Sequence, residues 1–522
     1  MNISSSNIIV SAEQMRAIEE RIFSAGMPVP ALMEKAAGLC FRKIQELYPV
    51  EKYAQVGIVV GPGHNGGDAF VIARELYFAG YVVKIYCAFT KVKELTASHS
   101  KYVRSLGIPF SEKIESLQEC DLIIDGLFGF GLTRSLSGNI ATAVAELNSW
   151  SQPIVSIDLP SGIHTDTGAV LGVAVQATHT LCLGLWKRAF FQDQALAYIG
   201  QAIKLDFGIP VADIEAIINL QETIQVITKP LVREFLPLPR PLITHKYRQG
   251  HLLLICGSER YAGAAILTAL GARASGVGML SIAVPKSLKS LLVSQLPEAL
   301  VIGCAETSSG AISSLPFSDA ELNKFDAIAC GCGITKDAAA IVKRVLAVKS
   351  ALILDADGLN LLAQFWLNGQ SNHKEFADSG LRILTPHEGE FQRLFPSIEF
   401  TDGDRLEAVR EASKESKAIV LLKGARTAIA NPQGQIWMIP QSTPALARGG
   451  SGDVLTGLIG GLTAQLCQSK NIDLPEQLFH NVATAAWLHA QAGILAAQER
   501  TELGVDGVTL AQYILHLLPI IK

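Results

Sequence analysis

Apolar residues along this chain gather in short, nearly continuous runs, separated by stretches in which they recur every three or four positions. The runs Val56–Val60, Val82–Ala88, Leu122–Asp125, Ile154–Asp158, Thr180–Leu183 and Ile203–Phe207 show no alternation. That suits strands buried on both faces of a parallel sheet. A helical pattern from Ser11 to Leu47 precedes them, and segments such as Ala69–Gly80 predict helices between them. The same alternation of strand and helix resumes at His251, with strands near Leu252–Ile255, Ala327–Cys330, Ala351–Asp355, Arg382–Thr385 and Ala418–Leu422. It ends in helices from Val454 to Ala464 and from Pro475 to Gln498. Between the two stretches, Leu231–Pro241 carries Pro237, Pro239 and Pro241, the mark of a connector. The pattern predicts two α/β domains, residues 1–220 and 242–522, joined by a connector over 221–241 with the boundary near residue 225. The halves share no motif at a fixed offset, so this is a fusion and not an internal repeat.

Composition narrows the class. Hydrophobic residues make up 49% and charged residues 18% of 522, which excludes a largely disordered chain, and 45 glycines without a triplet period exclude a collagen-like one. Lys and Arg number 44 against 48 Asp and Glu, a net charge of −4, so a nucleic-acid partner is not suggested. The nine cysteines stand singly except for Cys330 and Cys332, and no C-x-x-C or His/Cys ligand spacing supports a structural zinc site. Such scattered thiols fit a reducing, cytoplasmic compartment. Met1–Glu13 has no basic stretch followed by an apolar one, and Val454–Ser469 is too short and polar to span a bilayer, so neither a leader nor a membrane is expected.

The clearest chemical signal in the first domain is Gly61-Pro62-Gly63-His64-Asn65-Gly66-Gly67-Asp68, which follows one strand and opens a helix. Glycines let the backbone turn sharply and approach a ligand, and a helix start offers free N–H groups to phosphate. An ordinary redox dinucleotide fingerprint also needs a carboxylate at the end of the next strand, where this chain reads Ala88-Phe89-Thr90-Lys91. A tight strand-to-helix turn is therefore the even-handed alternative. Two further strands end in an aspartate and a glycine-bearing loop: Asp125 before Gly126–Arg134, and Asp158 before Leu159-Pro160-Ser161-Gly162. Ligands of open parallel sheets bind beyond the carboxyl ends of the strands, so these loops are expected to converge.

The runs GPGHNGGDA, DGLFGFGLTR and DLPSG resemble the epimerase domain of the NAD(P)H-hydrate repair enzymes over most of residues 10–215. The resemblance implies a Rossmann-like domain that interconverts the R and S epimers of hydrated NADH or NADPH. It implies that His64, Asn65, Gly66, Gly67 and Asp68, with Gly129, Phe130, Gly131, Leu132, Thr133, Arg134 and Ser135, hold the hydrated dinucleotide. Asp158 is implied to contact the reacting ring as acid or base, and Asn65, Asp125 and Ser161 to bind potassium. Oxygen donors of this kind suit a hard cation. The chain departs from the family pattern at His64 and Ala69, where Asn and Gly are usual.

In the second domain the decisive segment is Ala447-Arg448-Gly449-Gly450-Ser451-Gly452-Asp453, leading into an apolar helix. N–H groups at such a helix start stabilise charge on a transferring phosphoryl group, and Asp453 beside them is placed to take a proton from an attacking hydroxyl. A glycine-rich loop with an aspartate cap is the plain alternative. Lys423-Gly424-Ala425-Arg426-Thr427 closes another strand with a cation, N–H groups and a hydroxyl, the equipment nucleotide phosphates require. No G-x-x-x-x-G-K-[ST] is present, so a P-loop mechanism is excluded on pattern.

These elements, with Tyr261–Ala265, Gly331-Cys332-Gly333, Asp355–Asn360 and Thr385-Pro386-His387-Glu388-Gly389-Glu390, resemble the ribokinase-like, ADP-dependent NAD(P)H-hydrate dehydratases across about residues 240–515. The resemblance implies that Lys423, Gly424, Ala425, Arg426, Thr427 and Gly452 hold the adenine nucleotide, and that Ala264, Gly333, His387 and Asp453 hold the hydrate, with Asp453 catalytic. Tyr247 departs from the family's glycine after His-Lys. The implied net reaction dehydrates the S hydrate at the cost of ADP, with Mg²⁺ as the usual companion of phosphoryl transfer. The implied partners are small molecules only, and assembly into a homo-oligomer is expected from the relatives. The rival reading is a ribokinase-like small-molecule kinase fused to a nucleotide-binding module.

Overall fold

The structure is a computed structural model that describes residues 7–398, 404–469 and 472–521. The chain divides into two compact units, the first running to Thr223 and the second starting at Ile224. Both are built on parallel sheets of the expected α/β kind. Among the described residues no helix is long and apolar enough to cross a membrane.

The first unit holds a seven-stranded sheet in the order Phe110–Ser111, Val82–Tyr86, Gln55–Val60, Leu122–Gly126, Ile154–Ile157, His179–Leu183 and Gln201–Leu205. Every neighbouring pair is parallel. Side chains along one strand alternate between two cores: Val56, Ile58 and Val60 join one cluster, while Val59 joins the other with Ile123. Both faces are covered, which is why these runs read as continuous apolar sequence. From Gln55–Val60 the chain builds outward in one direction, and from Leu122–Gly126 in the other. The crevice between those two strands is a topological switch point, where ligands of such sheets bind.

The helical stretch expected from Ser11 to Leu47 is two helices, Ala12–Ser24 and Val29–Leu47. Gly26 adopts φ +104°, which an L side chain resists, and Pro28 then serves as the cap of the second helix. Ser11 and Gln14 close a reciprocal capping box on the first. The helix expected from Ala69 begins five residues earlier, spanning His64–Phe78, so Asn65–Asp68 sit within the helix rather than in a loop before it.

The second unit orders its strands Ile312–Ser314, Leu300–Glu306, Met279–Pro285, His251–Ile255, Ala327–Cys330, Ala351–Leu354, Arg382–Leu384, Ile419–Leu422, Ala428–Ala430, Ile436–Met438 and Ile224–Val226. The pairings from Leu300–Glu306 through Ile419–Leu422 are parallel, whereas Ala428–Ala430 and Ile436–Met438 add antiparallel edges. Ile224–Val226 pairs with Ile436–Met438, and Lys229–Phe235 is a helix, so part of the expected connector is built into this unit. Helix Ser451–Leu466 packs on Ala262–Ala274 so closely that a methyl at Gly457 would overlap the Thr268 carbonyl, and one at Gly271 the Val454 carbonyl. That contact accounts for the glycines inside an otherwise apolar helix.

Candidate functional site

In the first unit the three glycine-bearing loops meet at the carboxyl edge of the sheet. A methyl at Gly61 would overlap the Leu127 carbonyl and one at Gly66 the Gly61 carbonyl, so the Gly61 and Leu127 loops interlock through bare backbone. A methyl at Gly129 would stand 2.9 Å from Asp158 Oδ2 and 3.1 Å from Asn65 Oδ1, which places both side chains against one loop. Asp158 is buried, at φ +67°, a left-handed conformation unusual for an aspartate. Its carboxylate accepts from the Phe130 N–H at 2.9 Å and from Lys187 Nζ at 2.5 Å. Lys187 is itself 1% exposed and also donates to the Leu183 carbonyl at 2.5 Å. Burial presses the Lys187 ammonium down, but Asp158 more than offsets it, leaving its pKa above the usual lysine range.

A cavity of about 150 Å³ opens onto this pair and is lined also by Asn65, Asp68, Gly129 and Glu19. Burial raises Asp68 well above the usual carboxyl range, with Asp158 and Glu19 adding to the effect. A second, outer cleft of about 270 Å³ shares His64, Asn65 and Gly129 and adds Gly63, Gly131, Leu132, Thr133 and Arg134. Burial, and then Lys93, lower the His64 pKa, so its ring is neutral at pH 7. Gly66 and Gly67 are buried within the helix, and Ser135 is exposed outside both spaces.

Asp125 and Ser161 are brought together. The Ser161 hydroxyl donates to Asp125 Oδ1 at 2.6 Å, and Ser156 Oγ and the Ser161 N–H donate to Oδ2 at 2.8 and 2.9 Å. Burial raises the Asp125 pKa against the pull of these donors. Ser161 Oγ also accepts from the Phe128 N–H at 2.9 Å, one residue from the glycine on which Asn65 rests. Among the described residues the buried Asn65 Nδ2 has no hydrogen-bond partner. The carboxylate, the amide oxygen and the hydroxyl are oxygen donors of the kind that suit a hard cation.

In the second unit Gly450 caps helix Ser451–Leu466 at φ +93°, and the N–H groups of Gly452 and Asp453 lie in its first turn, where no preceding helical carbonyl can accept them. Helix Leu474–Arg500 supports this turn: His489 Nε2 lies 2.9 Å from the Ser451 carbonyl and 3.1 Å from its hydroxyl. Burial raises Asp453 to about 6, with Asp355 adding, while Cys332 and Lys423 oppose. Gly452 faces an ion pair: a methyl there would stand 3.6 Å from Lys423 Nζ and 3.8 Å from Asp355 Oδ2. Lys423 Nζ donates to Asp355 Oδ1 at 2.7 Å, and Thr456 Oγ1 to Oδ2 at 2.6 Å. Burial would raise Asp355, but Lys423 and these donors leave it below the usual range.

Ala264 and Gly333 adjoin, for a methyl at Gly333 (φ +67°) would meet Ala264 Cβ at 2.8 Å. His387 is the cap of helix Glu388–Leu394, its Nδ1 accepting from Gly389 at 3.0 Å, with Glu390 returning the bond at 2.9 Å. Glu390 in turn reaches Lys423 at 3.8 Å, which links His387 to the ion pair. Arg426 borders a separate cleft with Thr443, Pro444 and Ile494. Cys330 and Cys332 are buried, and burial raises the Cys330 thiol to about 12, consistent with packing residues. Three residues of these sites had no assigned role in the sequence: Lys187, Glu19 and Asp355. Asp355 had a signal, a strand-end aspartate opening the Asp355–Asn360 run; the other two had none.

Comparison with known proteins follows the same division. Residues 29–189 match a family model described as the YjeF-related protein N-terminus, and residues 252–516 one described as NAD(P)H-hydrate dehydratase. The bifunctional NAD(P)H-hydrate repair enzyme Nnr of Synechocystis is 54% identical, covering 97% of this chain and 94% of its own. Its counterpart in Gloeobacter violaceus is 45% identical over 98% and 97%. The ADP/ATP-dependent NAD(P)H-hydrate dehydratase of Bacillus subtilis, co-crystallized with ATP and Mg²⁺, is 30% identical and covers 57% of this chain and 98% of its own, at a TM-score of 0.47. The chain belongs to the family of bifunctional NAD(P)H-hydrate repair enzymes, an epimerase domain followed by a dehydratase domain.

Proposed function

We propose that the first unit epimerises hydrated NADH and NADPH at the inner cavity, and that the second dehydrates the S form with ADP at the Gly450–Asp453 turn. The observation that carries this reading is the buried Asp158–Lys187 pair at the end of a cavity sized for one ring, with a glycine-lined cleft alongside. The ring enters beside Asp158, and the pyrophosphate lies in the outer cleft along the glycine-bearing loop, beside Thr133 and Arg134. Asn65, Asp125 and Ser161 hold potassium, which when bound supplies positive charge beside those phosphates.

In the second unit Asp453 takes the proton from the ring hydroxyl, and the Gly452 and Asp453 N–H groups stabilise the phosphoryl in transfer. Phosphorylation converts a poor leaving group into a good one, and loss of phosphate restores the dihydropyridine, with AMP as the other product. Gly424–Thr427 bind the nucleotide; Lys423, already paired with Asp355, sets the charge beneath Gly452. Ala264 and Gly333 form the wall against which the hydrate rests. Magnesium, carried with the nucleotide phosphates, would supply neutralising charge there. A small-molecule kinase would use the same turn, but it would have no need of an epimerase domain on the same chain.

The test follows absorbance at 340 nm after mixing the protein with R and S hydrate, Mg²⁺, K⁺ and either ADP or ATP. Full recovery faster than spontaneous epimerisation is expected, and the productive nucleotide names the donor. No recovery with either nucleotide overturns the repair reading.

A further inference from the structure

Helix Ala12–Ser24 turns Met15, Ile18 and Ile22 into the core of the first unit. Glu19 lies one turn from both Met15 and Ile22, so an ionisable residue stands on the flank of the helix that faces the core. It lines the inner cavity with Asp158, Lys187 and Asp68. Among the described residues no hydrogen bond or ion pair holds its carboxyl, in contrast to Asp158, which has both. A glutamate kept in a cavity without a partner is costly, and structural need does not account for it.

The cavity thus brings three carboxyl groups to one ammonium. Lys187 neutralises Asp158, and the remaining two cannot both ionise cheaply. Burial, with Asp158 and Glu19, raises Asp68 well above the usual carboxyl range. Glu19, half-buried, is raised to about 7 by its burial and by Asp158, against the pull of Lys187 and Arg16. Its surroundings are Arg16 on its own helix, Asp158 and Lys187 at the strand ends, and Asp68 and His64 on helix His64–Phe78. A carboxyl without a fixed partner thus shares the cavity with one held in an ion pair, an arrangement that suits an acid and a base serving one reaction.

We infer that Glu19 is the general acid of the epimerase site, working across the substrate ring from Asp158. This rests on the reading of that cavity as the epimerisation site. The hydrated carbon bears both the ring nitrogen and the hydroxyl. Glu19 gives its proton to the hydroxyl oxygen as the C–O bond breaks, and the bonding pair leaves with the oxygen as water. The nitrogen lone pair then forms a C=N bond. Water adds to the opposite face, forming a new C–O bond while the nitrogen recovers its pair, and the proton shed by that water passes to Asp158. Proton exchange with solvent returns both carboxyls to their starting states. Oxidation state is unchanged, and water out balances water in.

The experiment uses the full chain and the R hydrate without nucleotide, with R-to-S conversion followed by chromatography and S-hydrate dehydration measured separately. Glu19→Gln is expected to slow epimerisation about 10²- to 10⁴-fold through kcat. KM for the R hydrate and the rate of S dehydration should be nearly unchanged. The wild-type kcat should fall as pH rises through about 7, the point at which Glu19 loses its proton, and the variant should lose that limb. Glu19→Asp should recover part of the rate. Epimerisation by Glu19→Gln at the wild-type rate overturns the proposal. If that variant does not fold, a folded Glu19→Asp with full rate and an unmoved alkaline limb overturns it instead. Asp158→Asn separates the two readings: activity intact in that variant removes the whole cavity from the chemistry, whereas activity lost there but intact in Glu19→Gln removes Glu19 alone.

Discussion

Lys423 and Asp355, which follow two strands of the second sheet with Arg382–Leu384 between them, are joined at 2.7 Å, with Gly452 resting on the pair. The ammonium is therefore already committed to Asp355, and the pair presents little net charge. Removing Lys423 leaves the buried Asp355 carboxylate without its cation, and removing Asp355 leaves Lys423 only the more distant Glu390 at 3.8 Å. Breaking such a pair typically costs about 3–5 kcal/mol. Lys423→Met and Asp355→Asn should each lower the thermal midpoint of the second unit and abolish dehydration. R-to-S epimerisation should persist in both, and its loss would contradict independent function of the two units.

Asp453 is expected to act as an ionised base with a pKa of about 6. Dehydratase kcat should be flat above pH 7 and fall tenfold per unit well below 6, as the base takes up its proton. Asp453→Asn should cost about 10²- to 10⁴-fold in rate. A near-normal rate in that variant would remove Asp453 from the mechanism.

The same residue makes a stability prediction of opposite sign. Its folded pKa lies above its usual value of 3.8, so the folded state binds the proton more tightly than the unfolded chain does. The stabilisation this gives is full below about pH 4 and is lost as pH rises through 6. Asp453→Asn should therefore melt higher than wild type at pH 7.5 and gain nothing at pH 4. A uniform shift at both pH values would assign the change to packing.

Gly61 and Gly63 should part company. A methyl at Gly61 overlaps the Leu127 carbonyl, whereas at Gly63 nothing lies within 4 Å. Gly61→Ala should destabilise the first unit by about 1–3 kcal/mol or more, as overpacking does. Gly63→Ala should fold normally and raise KM for the hydrate, because its open space lies in the outer cleft. Equal melting temperatures for the two variants would contradict the interlocked loops.

The strand ends were legible because burial on both faces leaves an unbroken apolar run, and a strand-end aspartate before a glycine stands out against it. Asp125 and Asp158 were found in that way, and Asp453 from the glycine-rich run that opens an apolar helix. Lys187 was not, since it lies 29 residues beyond Asp158 and meets it only through the return of the chain at Trp186–Lys187. Glu19 looks like any surface residue of an amphipathic helix until the helix is docked. Met279–Pro285 and Leu300–Glu306 passed unmarked beside stronger apolar runs, and Ala428–Ala430 and Ile436–Met438 are three residues each, too short for any periodicity. The break at Gly26 and Pro28 was written in the chain but was outweighed by the continuity of the helical pattern around it.

The parallel order of the first sheet also divides the labour of its two rims. All the chemistry stands at the carboxyl rim, so the turns that return each helix to the next strand, at Gly80 and Gly107, lie on the far side of the domain. Both are exposed and have open space around them. Extra residues, a tether to a surface or a fluorescent reporter can be spliced into either turn with the catalytic rim left facing solution.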